Sequence, residues 1–224
     1  MSGERGSTGW MMVLTFPVGP LGCNCTILAD PESHDAIVID PGGDYEQIRA
    51  QLLDHELKVN AIIHTHTHID HVGATAPLQR DTGAEAMIHE ADRFLYDMLE
   101  VQAGLLRLPT PERCELSGGL VDQGSLRCGA LEVGVFHTPG HTPGSVCFYC
   151  QDAQERVVFT GDTLFARSIG RTDLWGGDSE QILSSLKNKL LTLSDDTKVV
   201  PGHGRATTIG IEKTQNPYLT RLAR

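Results

Sequence analysis

Short apolar runs, each bounded by glycine, proline or charged residues, punctuate this 224-residue chain. Runs of this kind predict strands at 13–16, 26–28, 36–39, 62–64, 86–88, 131–136, 146–149, 157–160 and 198–200. Apolar residues recur at helical spacing over 45–55, 91–99 and 179–193, and Asp178 and Ser179 offer capping chemistry for the last of these. The pattern also predicts a short helix over 71–80, although Pro77 lies inside it. The stretch 104–119 contains Pro109, Pro111, Gly118 and Gly119 and reads as the longest surface loop. Strands and helices mixed in this way suit an α/β domain of two packed sheets with helices outside.

One of the predicted strands changes the picture. The run that includes Val59, Ala61, Ile62 and Ile63 leads directly into THTHIDH at 65–71. Polar residues at the exit of a buried strand sit on a loop held by a rigid scaffold, where reactive groups tend to lie. If that loop is extended, His66 and His68 point to one side, while Asp70 and His71 turn towards a second point. Imidazole and carboxylate are good ligands for zinc, iron and similar divalent metals. A solvated loop that happens to be rich in histidine is the bland alternative, and the HxHxDH spacing after a strand argues against it.

Three distant residues extend the set. His141 lies in TPGHTPGS, Asp162 in FTGDTLF and His203 in VVPGHG. Each adjoins an apolar run and is flanked by glycine or proline, which permit the tight turns that present a ligand from a strand end. Alone, each reads as a turn residue. With the first motif they supply enough ligands for two metals.

The ordered motifs THTHIDH, TPGHTPGS, FTGDTLF and PGHG resemble those of the metallo-β-lactamase superfamily of metallohydrolases, over nearly the whole chain. The resemblance implies a four-layer αββα sandwich with the metals at one edge between the two sheets. It implies one metal on His66, His68 and His141, a second on Asp70, His71 and His203, and Asp162 bridging them. Asp40, in VIDPGG, matches a further family motif that orients a metal-bound histidine without touching the metal. Two metals sharing a water lower its pKa and generate a bridging hydroxide nucleophile. Asp70 would orient it, and no serine or cysteine nucleophile is needed.

LFARSIGRTDLWGGD and the residues after PGHG resemble the short glyoxalase II-like branch, whose longer members hydrolyse S-lactoylglutathione and related thioesters. The expected substrate is therefore a small molecule of the glutathione thioester kind, with zinc the first choice of metal and iron or manganese open. Arg171 keeps a cation that contacts glutathione in that branch. Asp173 and Phe148 stand where tyrosines would be, and Arg171 paired with Asp173 as a structural clip is the competing reading. The branch implies two other outcomes. One is a mononuclear iron persulfide dioxygenase with iron on His66, His141 and Asp162, disfavoured by the intact PGHG. The other is a non-catalytic metal-binding protein.

Composition narrows the remaining classes. The formal net charge of −11 argues against general binding to nucleic acid or anionic membranes. No apolar stretch approaches a membrane span, and residues 1–11 lack a signal peptide's apolar core, so a flexible extension, a single domain over 12–224 and a cytoplasmic location are expected. The six cysteines read as buried small hydrophobes rather than a disulfide framework. Cys147 and Cys150 lie three apart on a strand and should face opposite sides. His64 reads as packed, His137 as a strand or turn residue, and His34, His55 and His89 as surface or turn residues.

Overall fold

The computed structural model describes residues 10–220. The first half forms a five-stranded sheet in the order β1 (Met12–Val18), β2 (Cys23–Asp30), β3 (Asp35–Ile39), β4 (Lys58–Ile63) and β5 (Glu85–Met87). The first three strands are antiparallel neighbours, and β3, β4 and β5 run parallel. The second half contributes β6 (Ser125–Cys128), β7 (Leu131–His137), β8 (Val146–Gln151) and β9 (Arg156–Gly161). A small separate hairpin, β10 (Leu164–Phe165) and β11 (Ser168–Ile169), follows, and then β12 (Lys198–Pro201) and β13 (Thr207–Thr208). The second sheet is ordered β13-β12-β9-β8-β7-β6, with β9 and β12 parallel.

Period-two alternation sorts these strands into layers. Leu28, Ile37, Ile39 and Ile63 of the first sheet meet Val133, Phe148, Val157 and Phe159 of the second in one core between the sheets. Ile27, Val38 and Ile62 point the other way, against Ile48, Leu52, Leu78 and Leu99. Those residues belong to α1 (Tyr45–Asp54), α3 (Thr75–Thr82) and α5 (Leu99–Leu106); α2 (Ile69–Val72) and α4 (Arg93–Asp97) lie beside them in sequence. Cys147, Val158 and Val199 face outward from the second sheet onto Ile182 and Leu186 of α6 (Ser179–Asn188) and Ile209 of α7 (Ile209–Gln215). Helix, sheet, sheet and helix make the expected αββα sandwich. Fully burying a side chain such as Phe148 or Phe159 contributes ~1.5–3 kcal/mol. The cysteines are free; Cys147 and Cys150 fall in different cores, as their spacing requires, and Cys23 and Cys25 share one.

Several boundaries differ from the sequence pattern for local reasons. The expected helix over 71–80 is two helices separated at Gly73 and Ala74, and Pro77 sits in the first turn of α3, where an N–H has no intrahelical partner. The expected helix over 91–99 breaks at Met98, whose N–H bonds back to Leu95, and the chain turns there into α5. The residues to Leu106 are thus helical, and the long loop starts after them. α6 is capped by the Asp178 carboxylate, which accepts from the N–H groups of Glu180 and Gln181; it stops at Asn188 and a 3-10 turn over Leu190–Thr192 follows. The extension expected over 1–11 lies outside the described residues up to residue 9; Met11 is buried, and its N–H donates to Asp152. No helix among the described residues is long and apolar enough to cross a membrane.

The parallel pairs decide where the chemistry sits. β3 and β4 end side by side, at Asp40 and at the THTHIDH loop. In the other sheet β9 and β12 end at Asp162 and at the loop carrying His203. His141 lies on the turn between β7 and β8.

Candidate metal centre

All seven residues picked out by the motifs converge on this edge in two clusters. In the first, His141 Nε2 lies 3.3 Å from His66 Nε2 and 3.0 Å from His68 Nδ1. In the second, His203 Nε2 is 3.0 Å and His71 Nε2 3.7 Å from Asp70 Oδ2. Asp162 lies between the two. Its Oδ2 is 3.7 Å from His141 Nε2, and its Oδ1 is 3.5 Å from His71 Nε2 and 3.8 Å from His203 Nε2. The ligand atoms within each of the triads His66–His68–His141, His66–His71–Asp162 and Asp70–His71–His203 lie within 4.8 Å of one another.

Supporting groups hold three of the rings in one tautomer. Asp40, at the end of β3, accepts from the N–H and hydroxyl of Thr65, both at 2.7 Å, and from His71 Nδ1 at 3.0 Å. The Thr65 hydroxyl is thereby committed as a donor, so its oxygen accepts from His66 Nδ1 at 3.1 Å. His141 Nδ1 donates to the backbone carbonyl of Arg171 at 2.8 Å. In all three histidines Nε2 is left to face the cluster.

The electrostatics of the two halves differ. Burial, followed by the neighbouring imidazoles, holds His66 well below the usual histidine range and pushes His68 down to about 3; burial also lowers His141. These rings are neutral, with lone pairs available. Burial also disfavours a charge on His71, but Cys23, Asp70, Asp40 and Asp162 outweigh it and raise its pKa well above the usual range. The hydrogen bond to Asp70 raises His203. Burial works to raise the Asp70 carboxyl, and His71 and His203 override it and lower its pKa.

A cation fits this arrangement. His71 Nε2 and Asp162 Oδ1 are buried, face one another and have no hydrogen-bond partner, an arrangement that costs stability unless a ligand completes it. A metal–nitrogen distance of ~2.0 Å in tetrahedral geometry separates ligands by ~3.3 Å, close to the nitrogen spacing of the first cluster. Gly202 is required where it stands: a Cβ there would collide with Asp162 Oδ1 and the His71 ring.

Two supporting residues have no signature in the motifs. Asp92, fully buried, accepts from the Thr67 N–H at 3.2 Å, the Thr142 hydroxyl at 2.8 Å and the Gly144 N–H at 2.5 Å. It ties the loop of His66 and His68 to the loop of His141. Burial pushes its carboxyl up to about 6 against the pull of those hydrogen bonds. Gln102 of α5 accepts from the Ile69 N–H at 2.9 Å and donates to the Leu95 carbonyl at 2.8 Å, which fixes the start of α2. Both contacts cross between elements, so no spacing rule announces them. His64 packs as expected, bonded to the Met87 carbonyl and the Thr75 hydroxyl.

A cavity of about 240 Å³ opens onto His68, Asp70, His141 and Asp162. Arg171 lines its mouth, but its exposed guanidinium is forked onto Asp173 at 2.7 and 2.8 Å. Phe148 is buried in the core between the sheets and reaches no substrate, unlike the tyrosine whose place it takes in the resemblance. A wider open cleft beside Glu132, Tyr149 and Asp152 contains none of the metal-site residues.

Two mixed sheets between helices, with a His/Asp site of dinuclear type at their shared edge, define a metal-dependent hydrolase. The chain belongs to the metallo-beta-lactamase superfamily, whose family profile matches residues 18–203. The hydroxyacylglutathione hydrolase GloC of Haemophilus influenzae is 39% identical and is matched over 93% of this chain and 98% of its own. The crystal structure of the BLEG-1 B3 metallo-beta-lactamase superposes with a TM-score of 0.86 at 39% identity, covering 93% of this chain and 100% of that one. TTHA1623, crystallised in a di-iron-bound form, gives a TM-score of 0.81 at 37% identity, covering 92% of this chain and 100% of that one.

Proposed function

We propose that the protein hydrolyses thioesters, of which S-lactoylglutathione is the type, using two divalent cations. One would be held by His66, His68 and His141 and the other by Asp70, His71 and His203, with Asp162 shared. The observation that carries this reading is Asp162, whose Oδ2 faces His141 while its Oδ1 faces His71 and His203. A mononuclear site would leave that second set of ligands without a role. The likeness to GloC supports thioester chemistry, and the di-iron form of TTHA1623 supports a two-metal site. Zinc is the first choice on the nitrogen-rich side, and iron or manganese suits the carboxylate-rich side.

Cations bound there supply an acidified water and a polarised carbonyl. The chain's own residues do the rest. Asp40, Thr65 and the Arg171 carbonyl hold three imidazoles with Nε2 directed inward. Asp70, on the cavity wall, orients the attacking water. Hydrolysis adds water across the C–S bond and releases a carboxylic acid and a thiol, so no further co-reactant is required.

The test is metal content and turnover on one metal-replete sample, with S-lactoylglutathione set against glutathione persulfide. Two metal equivalents with thioester hydrolysis is the expected result. One iron per chain with oxygen-dependent persulfide oxidation would replace this reading with a dioxygenase. Two metals without either reaction would reduce it to metal binding.

A further inference from the structure

The cavity beside the metal residues has an apolar wall that the hydrolase reading does not use. Leu21, from the turn between β1 and β2, and Leu105 and Leu106, from the end of α5, line it together with Leu174 and Trp175. Leu21, Leu105 and Leu106 are 45%, 66% and 48% exposed. Single exposed leucines are ordinary on a protein surface, but three from two separate segments around one opening mark a binding surface. α5 itself, LEVQAGLL, buries Leu99, Gln102 and Ala103 on one face, yet apart from Glu100 its solvent side is also apolar. A surface helix normally turns polar residues outward.

Among the described residues, the same cavity offers one cation for a charged arm of a substrate, and it is already paired. Arg171 is the one basic residue among those lining it, and both guanidinium contacts go to Asp173. The Gln102 amide is committed to Ile69 and Leu95. Glutathione carries two carboxylates, and each would need a partner here to gain from binding.

We infer that the substrate is a thioester whose group next to the reacting carbonyl is uncharged and apolar, seated on Leu21, Leu105, Leu106, Leu174 and Trp175. This rests on the thioesterase reading and narrows it. The apolar wall supplies affinity by removing hydrocarbon from water. The metal residues act on the carbonyl at its end.

The experiment uses the full-length, metal-replete protein with two neutral substrates, S-acetyl- and S-hexanoyl-N-acetylcysteamine, and with S-lactoylglutathione. The kcat/KM for the hexanoyl substrate should exceed that for the acetyl substrate by about tenfold, the effect of burying two of the four added methylenes. Leu105→Ser with Leu106→Ser, and separately Leu21→Ser, should bring that ratio towards one. These positions are exposed, so the fold is not at stake. Binding is read independently from Trp175 fluorescence in a Trp10→Phe protein, with two hydrolysis-inert thioethers, S-hexyl-N-acetylcysteamine and S-hexylglutathione. The neutral thioether should bind at least as tightly as the glutathione one. A flat acetyl-to-hexanoyl ratio, a ratio that survives the serine variants, or clearly tighter binding of S-hexylglutathione would each overturn the inference. If the neutral thioether binds and no thioester turns over, the apolar site stands and the thioesterase reading fails. If neither is seen, both fall.

Discussion

Removing Asp92 tests how the two loops of the first metal cluster are held together. Asp92→Ala leaves two buried donors without an acceptor, the N–H groups of Thr67 and Gly144, while the hydroxyl of Thr142 keeps Ser145 as a partner at 2.7 Å. Each orphaned donor costs ~1–3 kcal/mol, or ~4 kcal/mol for two at the middle of the range. Against that, the variant no longer buries a carboxylate. The Asp92 pKa stands at about 6 against an ordinary 3.8, a penalty of ~3 kcal/mol at neutral pH at 1.36 kcal/mol per unit. The orphaned donors win narrowly, and a net loss of ~1 kcal/mol is expected at neutral pH. The sign of the pH dependence is also determined. Because the folded-state pKa is raised, the stability linked to this carboxyl is fully present below the ordinary value and is lost as pH rises through about 6. The stability gap between the parent protein and Asp92→Ala should therefore widen as pH falls from 7 towards 4, measured by urea unfolding of both proteins without metal. Loosening of the Thr67 and Thr142 loops should also lower affinity for one metal by ~10–100-fold while the other is held as before, measured by competition with a chromophoric chelator. A variant with the parent's unfolding midpoint at every pH and unchanged affinity for both metals would refute this account of Asp92.

Three further outcomes can be checked with the same preparations. Asp40→Ala removes the acceptor of His71 Nδ1 and orphans Thr65, so affinity at the Asp70–His71–His203 cluster should fall by ~10–100-fold in the chelator competition; unchanged affinity would show that the His71 tautomer needs no such support. Asp162→Ala should lower metal content and turnover together, by several orders of magnitude in rate, and near-normal values for both would remove it from the site. Arg171→Ala keeps the backbone carbonyl that holds His141 and loses only an exposed pair with Asp173, so KM for S-lactoylglutathione should hardly move; a large rise in KM without a change in kcat would instead assign the guanidinium to the substrate.

The candidate ligands were legible in the chain order because motifs at a strand exit are a local feature, although only the family resemblance joined the four motifs into one site. HxHxDH places four donors within six positions, and the glycine- and proline-flanked His141, Asp162 and His203 each follow an apolar run or turn that can be read in place. The layering was legible for the same reason, since period-two alternation needs only neighbouring residues. Helix ends were less so: Pro77 and Met98 act through backbone geometry that apolar spacing does not report. Only the tertiary structure decided what supports and surrounds the ligands. Asp92 meets residues 25, 50 and 52 positions away, and Gln102 meets one 33 positions away, through hydrogen bonds that leave no period in the sequence. The burial of Phe148 likewise depended on where the chain closed on itself. So did the meeting of Leu21 with Leu105 and Leu106, which lie far apart in the chain and become one surface only when the β1–β2 turn and the end of α5 fold onto the same opening.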